Sequence, residues 1–309
     1  MSPDTETNQN DVSPARPVIS VIIPMLNAAK HLDNLIPSLL SQRFDQPWEI
    51  IAVDNGSDDR TADVARTLLG NREPEYLIRR EVIFVPAPRG YASPRNAGVR
   101  LAQSPLLAFC DADGAVDENW LQAMVQALGR HPLVASRKFR SYDVSVRDPD
   151  TAWFEQNGLY SMFGLKFAAA AGLGCTHALF DSIGGFDTHF DLGGEDVDFS
   201  FRAHFQLGIE PVLEPGAIYW TQIPWRPMKS FLRGFRDGRS LLRVARRHQG
   251  ELPKSPSGPG ARPRRIGRRA RRVMRMWRMS RRQMNGVATV AGARAGRIVW
   301  SVRGRFQQI

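Results

Sequence analysis

The chain has 309 residues, 42% of them apolar, enough to build one large α/β domain or two smaller ones, and this excludes a wholly disordered protein. Its net charge of +11 is unevenly placed: residues 251–309 hold 16 basic residues and one acid, while residues 1–250 hold 26 basic and 30 acidic ones, net −4. The body therefore lacks the basic face of a nucleic-acid binder. Two cysteines, Cys110 and Cys175, make neither a disulfide framework nor a CxxC metal site and suit a reducing compartment.

Residues 1–16 are polar, without the basic-then-apolar order of a signal peptide, and read as a disordered lead. "VISVIIPML" is an apolar, β-branched run that predicts a buried strand, and "AAKHLDNLIPSLLSQ" spaces its leucines as a helix does, with Pro37 as a blemish. The same alternation continues through "WEIIAVDNGSDD", "RTADVARTLL", "EVIFVPAP", "YASPRNAGVRLAQ", "LLAFCDADG" and "DENWLQAMVQALGR". Four β-α units at this pitch predict a mostly parallel sheet flanked by helices and joined by right-handed crossovers. "LVASRKFRSYD" predicts a further strand, Thr151 to Phe167 a helix, "EDVDFSFRAHFQLG" a helix with acids in its first turn, and "IEPVLEPGAIYW" a strand. A long basic helix over 226–248 and a Pro/Gly/Ser linker follow. The longest clean apolar stretch, "FAAAAGLG", falls short of the roughly 18 residues a membrane helix needs.

In an open parallel sheet the ligand site lies beyond the carboxyl ends of the strands. Three of the predicted strands end in "PMLN", "VDNGSDD" and "CDADG", bringing Asn27, Asp54 and the pair Asp111 and Asp113 to one edge. "DADG" alone is also ordinary turn chemistry. Two carboxylates one residue apart repel each other unless a cation lies between them, so a divalent metal is the other reading. A carboxylate row suits a nucleotide, whose base NH and ribose hydroxyls donate to it. Neither GxGxxG after the first strand nor GxxxxGK[ST] is present, which leaves phosphate neutralisation to a metal.

The series "VIIPMLNAAKHLDNLIPSLLSQ", "IIAVDNGSDDRT", "SPRNAGVRLAQSPLLAFCDAD" and "IGGFDTHFDLGGEDVDFSFR" resembles the family 2 inverting glycosyltransferases of GT-A fold, over roughly residues 17–240. The resemblance implies an α/β, Rossmann-like, mixed but mostly parallel sheet. It places Pro24 and Asn27 in the nucleotide pocket, Asp54 at the base, Arg95 on the nucleotide with Asn96 holding its loop, Asp111 at the ribose and Asp113 on Mn or Mg. In the ED pair, Glu195 and Asp196, it makes the second acid the base that deprotonates the acceptor hydroxyl; a plain helix cap is the simpler reading of these two. Two departures stand out. Asn55 replaces a frequent aspartate, and Tyr219, Trp220 and Thr221 occupy a place where many members carry a metal-binding histidine. Trp220 would then pack against substrate or the metal would bind more weakly. His177, His189 and His204 read as ordinary surface or packing histidines.

The expected organisation is a transferase domain over 17–225, a basic helix over 226–250 with a stripe at Arg233, Arg236 and Arg239, and an Arg-rich linker and tail over 251–309. In the tail Ile266, Ala270, Val273 and Trp277 recur at helical spacing among arginines. That is the pattern of an amphipathic helix resting on anionic lipid through 262–300, with nucleic-acid binding and disorder as rivals. Expected partners are a nucleotide-diphosphate sugar and a glycan or lipid-linked acceptor in cell-envelope synthesis, and the expected location is the cytoplasm, either free or peripheral on the inner face of the membrane. The competing functions are a non-catalytic binder of sugar nucleotides or glycans on the same fold and, less favoured, a nucleic-acid binder acting through the tail.

Overall fold

The computed structural model describes residues 15–71, 74–86, 89–141, 143–149, 154–190, 193–222 and 238–252. The first half follows the predicted alternation: β1 (Ile19–Met25), α1 (Leu32–Leu40), β2 (Trp48–Asp54), α2 (Thr61–Gly70), β3 (Leu77–Phe84), α3 (Ala92–Leu101), β4 (Leu106–Phe109), β5 (Gly114–Val116) and α4 (Trp120–Leu128). Strands β1, β2, β3 and β4 pair in parallel. Both faces of this part of the sheet are covered. Val21 and Ile23 pack with α1 and α4 on one side, while Ile22 turns to the other side with Leu107, Phe109 and Val99 of α3. That split is the period-two alternation of a strand buried on both faces.

The second half adds β6 (Leu133–Ser141), β7 (Phe154–Asn157), β8 (Leu159–Met162), β9 (Leu165–Ala168), β10 (Leu173–Thr176), α5 (His177–Ser182), α6 (Glu195–Leu207) and β11 (Val212–Gln222). The main sheet runs β3-β2-β1-β4-β10-β6-β11-β5, with β7 added on β6. Strand β10 is antiparallel to both neighbours, and β5 is antiparallel to β11. The sheet is thus mixed but mostly parallel, as expected.

The helix expected over Thr151–Phe167 is not formed: its described part is β7 followed by a separate β8–β9 hairpin. Phe163 and Gly164 both take positive φ, 57° and 83°, and supply the two-residue turn that suits a right-handed hairpin twist. Tyr160 and Phe167 then meet across the two strands with stacked rings. Of the expected basic helix, residues 238–247 are helical; Arg233 and Arg236 lie outside the described residues, as do the linker and tail from 253 on.

Candidate functional site

Register fixes where the strand ends meet. Met25 pairs with Asp54 and Ile22 with Phe109, so β1, β2 and β4 finish at a common edge. There Pro24 and Asn27 line a cavity of about 430 Å³ with His31, Tyr91, Asp111 and Asp113. Asn27 takes φ 51°, a region open to asparagine more than to most residues. It is held there because its backbone NH donates to Ser57 Oγ at 2.9 Å and its Oδ1 accepts from Asp58 N at 2.8 Å. Asp54 is buried one layer back: its Oδ1 accepts from Ser57 N at 2.9 Å, and it lines neither this cavity nor the second one described below. Asn55 accepts from Gly90 N at 2.8 Å and donates to Val85 O at 3.2 Å. A carboxylate would lose the second bond, which accounts for the amide at this position.

The Asp111–Asp113 segment is indeed a turn, closed by Gly114 N donating to Asp111 O at 3.1 Å. It is locked from β11, where Tyr219 sits beside Val116 of β5. The Tyr219 hydroxyl accepts from Asp111 N at 3.0 Å and donates to Asp111 O at 2.9 Å. A Cβ on Gly114 would come within 2.1 Å of that hydroxyl, so the glycine of "DADG" makes room for the tyrosine. Trp220, in contrast, is buried against Phe139 with ring centroids 4.8 Å apart and lines neither cavity. The idea that it packs against substrate is therefore not supported by its place in the fold.

Arg95, in the first turn of α3, joins the two acidic motifs. Its Nη2 donates to Asp111 Oδ1 at 2.6 Å and its Nη1 to Glu195 Oε1 at 2.8 Å and Tyr91 O at 3.0 Å. Burial opposes its charge, but Asp111 and then Glu195 outweigh that and raise its pKa. Asn96 next to it exchanges two hydrogen bonds with Phe186, donating to its carbonyl at 2.7 Å and accepting from its NH at 3.0 Å. This ties the start of α3 to the glycine turn before α6.

Beyond Arg95 lies a second cavity of about 300 Å³, which shares Tyr91 and Asp111 with the first and reaches Glu195, Asp196, Lys138, Arg140, Tyr160 and Phe167. Gly193 and Gly194, at φ 114° and 95°, deliver the two acids to its wall at the start of α6. Burial, then the neighbouring Asp196 charge, raises the Glu195 pKa against the pull of Arg95. Glu195 Oε2 and Arg95 Nε are buried and have no hydrogen-bond partner among the described residues. Burial also raises Asp196, although its Oδ2 accepts from Ala170 N at 3.1 Å. A carboxyl whose proton affinity is lifted toward neutrality is suited to taking a proton from a hydroxyl.

The sequence profile of glycosyl transferase family 2 matches residues 20–182, more than half of the chain. The chain belongs to this family. A validoxylamine A glucosyltransferase of Streptomyces hygroscopicus subsp. jinggangensis is 29% identical over 224 residues, covering 61% of this chain and 51% of that protein. A PGL/p-HBAD biosynthesis glycosyltransferase of Mycobacterium tuberculosis is 29% identical over 208 residues, covering 66% of this chain and 73% of its own. The chain spans about half the length of the Streptomyces relatives it matches. Among solved structures, the mannosyltransferase PcManGT of Pyrobaculum calidifontis, in complex with GDP-Man and Mn²⁺, matches with a TM-score of 0.58 at 17% identity, over 96% of this chain and 82% of that one. The fold is the GT-A fold.

For this family 2 member the donor set at the first cavity suits a hard divalent cation. Mg²⁺ and Mn²⁺ take one or two carboxylates and complete their shell with phosphate oxygens and water, and Asp111 and Asp113 both face the cavity. No cluster of three or more His, Cys, Asp or Glu side chains poised for a metal exists among the described residues. His31 lines the same cavity, with Nδ1 3.2 Å from Gln222 Oε1 at the end of β11. His177, His189 and His204 line neither cavity.

The sequence did not single out His31, Tyr91, Lys138, Arg140, Tyr160, Phe167 or the structural role of Tyr219. The only signal for Lys138 and Arg140 was two cations at strand spacing in a predicted strand. For Tyr219 there was none beyond its place in an apolar run.

Proposed function

We propose that the protein transfers a sugar from a nucleotide-diphosphate sugar to a hydroxyl acceptor with inversion at the anomeric carbon. The observation that carries this reading is Arg95, which links Asp111 and Glu195 and so sets the two cavities side by side around one shared wall. Pro24 and Asn27 flank the nucleotide and Asp111 accepts from the ribose, while Asp54, buried behind the cavity wall, holds the turn at Ser57. Asp113, with Asp111 beside it, would hold Mn or Mg, which supplies charge stabilisation on the leaving diphosphate when bound. Asp196 takes the proton of the acceptor hydroxyl as its oxygen bonds to the anomeric carbon. The bond to the diphosphate breaks on the opposite face, and its electron pair leaves with the phosphate. Glu195, held by Arg95, keeps the acid pair in place.

Residues 17–225 would form the transferase domain, followed by a basic segment over 226–250 of which 238–247 are helical. Among the described residues no helix is long and apolar enough to cross a membrane. Attachment through the arginines of 262–300 and a lipid-linked or envelope-glycan acceptor belong to the same proposal, supported by the tail's charge and helical spacing.

The test is donor hydrolysis over a panel of UDP-, GDP- and dTDP-sugars with Mn²⁺ or Mg²⁺, run beside Asp113→Asn and Asp196→Asn. Turnover of at least one donor, metal-dependent and lost in both variants, is the expected result; unchanged turnover in both variants overturns the mechanism.

A further inference from the structure

The two cavities meet at Tyr91 and Asp111, the residues that line both. Transfer with inversion puts the anomeric carbon between a diphosphate leaving into the first cavity and a hydroxyl at Asp196 in the second. The sugar being moved therefore lies where the two walls join. Asp111 is already engaged there: its Oδ1 accepts from Arg95 Nη2 at 2.6 Å, and its backbone is held by the Tyr219 hydroxyl. The Arg95 side chain is only 2% exposed and lies beneath the surface. Among the described residues that line both cavities, the one with a broad apolar face is the half-buried Tyr91.

The segment that carries this ring is fastened at three successive residues. Arg89 Nη2 donates to Asp58 Oδ1 at 2.6 Å and to the Gly56 carbonyl, Gly90 N donates to Asn55 Oδ1 at 2.8 Å, and Tyr91 O accepts from Arg95 Nη1 at 3.0 Å. The Arg95 guanidinium also lies over the Tyr91 ring, 5.9 Å from its centroid. A tyrosine has only two side-chain torsions to fix, so on a backbone held this firmly it meets a ligand at small entropic cost. Its apolar body suits the C–H side of a sugar ring, a surface that a nucleotide sugar has and the bare nucleoside diphosphate lacks at this place.

We propose that Tyr91 packs its ring against the sugar being transferred, a specificity contact that favours the nucleotide sugar and leaves the nucleoside diphosphate untouched. The inference rests on the transferase reading of the site.

The test titrates the full-length chain, with Mn²⁺ present, with UDP-glucose, UDP-N-acetylglucosamine, GDP-mannose and dTDP-glucose, each beside its own nucleoside diphosphate. For at least one pair, Tyr91→Ala weakens the nucleotide sugar about tenfold, the scale of one aromatic contact with its buried area, and the nucleoside diphosphate less than about twofold. Tyr91→Phe keeps the ring and changes neither ligand by more than about twofold. Melting curves check each variant, and Tyr91→Leu, which fills the position without a flat face, serves with the same expected loss if Tyr91→Ala does not fold. Unchanged binding of every nucleotide sugar in Tyr91→Ala, an equal loss of both members of each pair, or a loss in Tyr91→Phe as large as in Tyr91→Ala overturns the proposal. So does absence of binding by all pairs. Failure of the transferase reading shows separately, as absence of donor hydrolysis by the unaltered chain, a reaction the titration does not measure.

Discussion

Two buried carboxylate–arginine clusters sit at opposite ends of the same sheet. At the amino-terminal edge, Glu49 is fully buried at the start of β2. Its Oε1 accepts from Ser20 Oγ at 2.5 Å and Gln103 N at 2.7 Å, and its Oε2 accepts from Arg79 Nη1 at 2.7 Å. At the carboxyl edge, Arg95 holds Asp111 and Glu195, but Arg95 Nε and Glu195 Oε2 stay unpartnered among the described residues. The chemistry is the same and the saturation is not. A buried polar atom without a partner costs about 1–3 kcal/mol, a cost that natural folds carry mainly where a ligand is to supply the missing bond. The closed cluster ties strand starts together; the open one keeps unused bonding capacity at the wall of the second cavity.

The largest separation between the two is expected in Asp196→Asn. Removing a positioned base lowers transfer by about 10²–10⁴-fold. Since Asp196 is a half-buried acid whose pKa is raised, its neutralisation leaves the urea midpoint unchanged or higher. A fall in midpoint with unaltered transfer would reverse the assignment. Arg95→Met comes next. Removing the guanidinium leaves Asp111 and Glu195 without their shared cation, a loss of about 3–5 kcal/mol. Urea titrations should show this penalty shrinking at acidic pH, as Glu195, whose pKa is already raised by burial, takes up a proton. Glu49→Gln is expected to cost about 3 kcal/mol through the Arg79 pair while the catalytic rate constant of the folded fraction holds steady. If that rate constant dropped, the amino-terminal cluster would belong to function as well.

How much of this was readable beforehand follows from range. The alternation up to α4 is written in local periodicity, because each strand buried on both faces must be a short continuous apolar run, and "VISVIIPML" and "WEIIAVD" are that. The aspartates at the strand ends follow from the topology rule for open sheets. The hairpin at 159–168 was misread as helix although Gly164 marked its turn, because its aromatic residues read equally well at helical spacing. Partnership across the sheet could not be read at all. That Arg95 near the start of α3 pairs with Glu195 at the start of α6, one hundred residues away, and that Tyr219 reaches the Asp111 backbone because β11 pairs with β5, are long-range placements that no local pattern encodes.

Tyr219→Phe separates positioning from packing more finely. The ring keeps its buried place and only the hydroxyl goes, so stability falls by about 1–2 kcal/mol for the two hydrogen bonds to Asp111. If those bonds serve to aim the Asp111–Asp113 turn, the donor KM and the Mn²⁺ needed for half-maximal rate both rise several-fold. A purely structural tyrosine would change the melting temperature and neither of these.

The smallest effect is expected behind α6, in a third cluster that is closed like the one at Glu49. His248 bonds Asp198 Oδ1 at 2.9 Å and Glu251 Oε2 at 2.8 Å, Arg202 Nε donates to the other Asp198 oxygen at 2.7 Å, and the rings of Phe201 and Phe205 pack on the imidazole. Burial works against the imidazolium, but the bonds to Asp198 and Glu251 prevail and raise its pKa above the ordinary 6.5. A histidine raised on folding contributes stability that is fully present below the unfolded value and is lost as pH climbs through the folded one. The melting temperature should therefore decline from near pH 6.5 upward, and His248→Gln should flatten that decline. Because Ser240 and Leu241 of the same helical segment line the second cavity, hydrogen exchange over 238–252 should quicken in the same pH window. Should exchange there stay constant while the melting temperature drops, the histidine would be stabilising the fold as a whole rather than clasping this segment against α6.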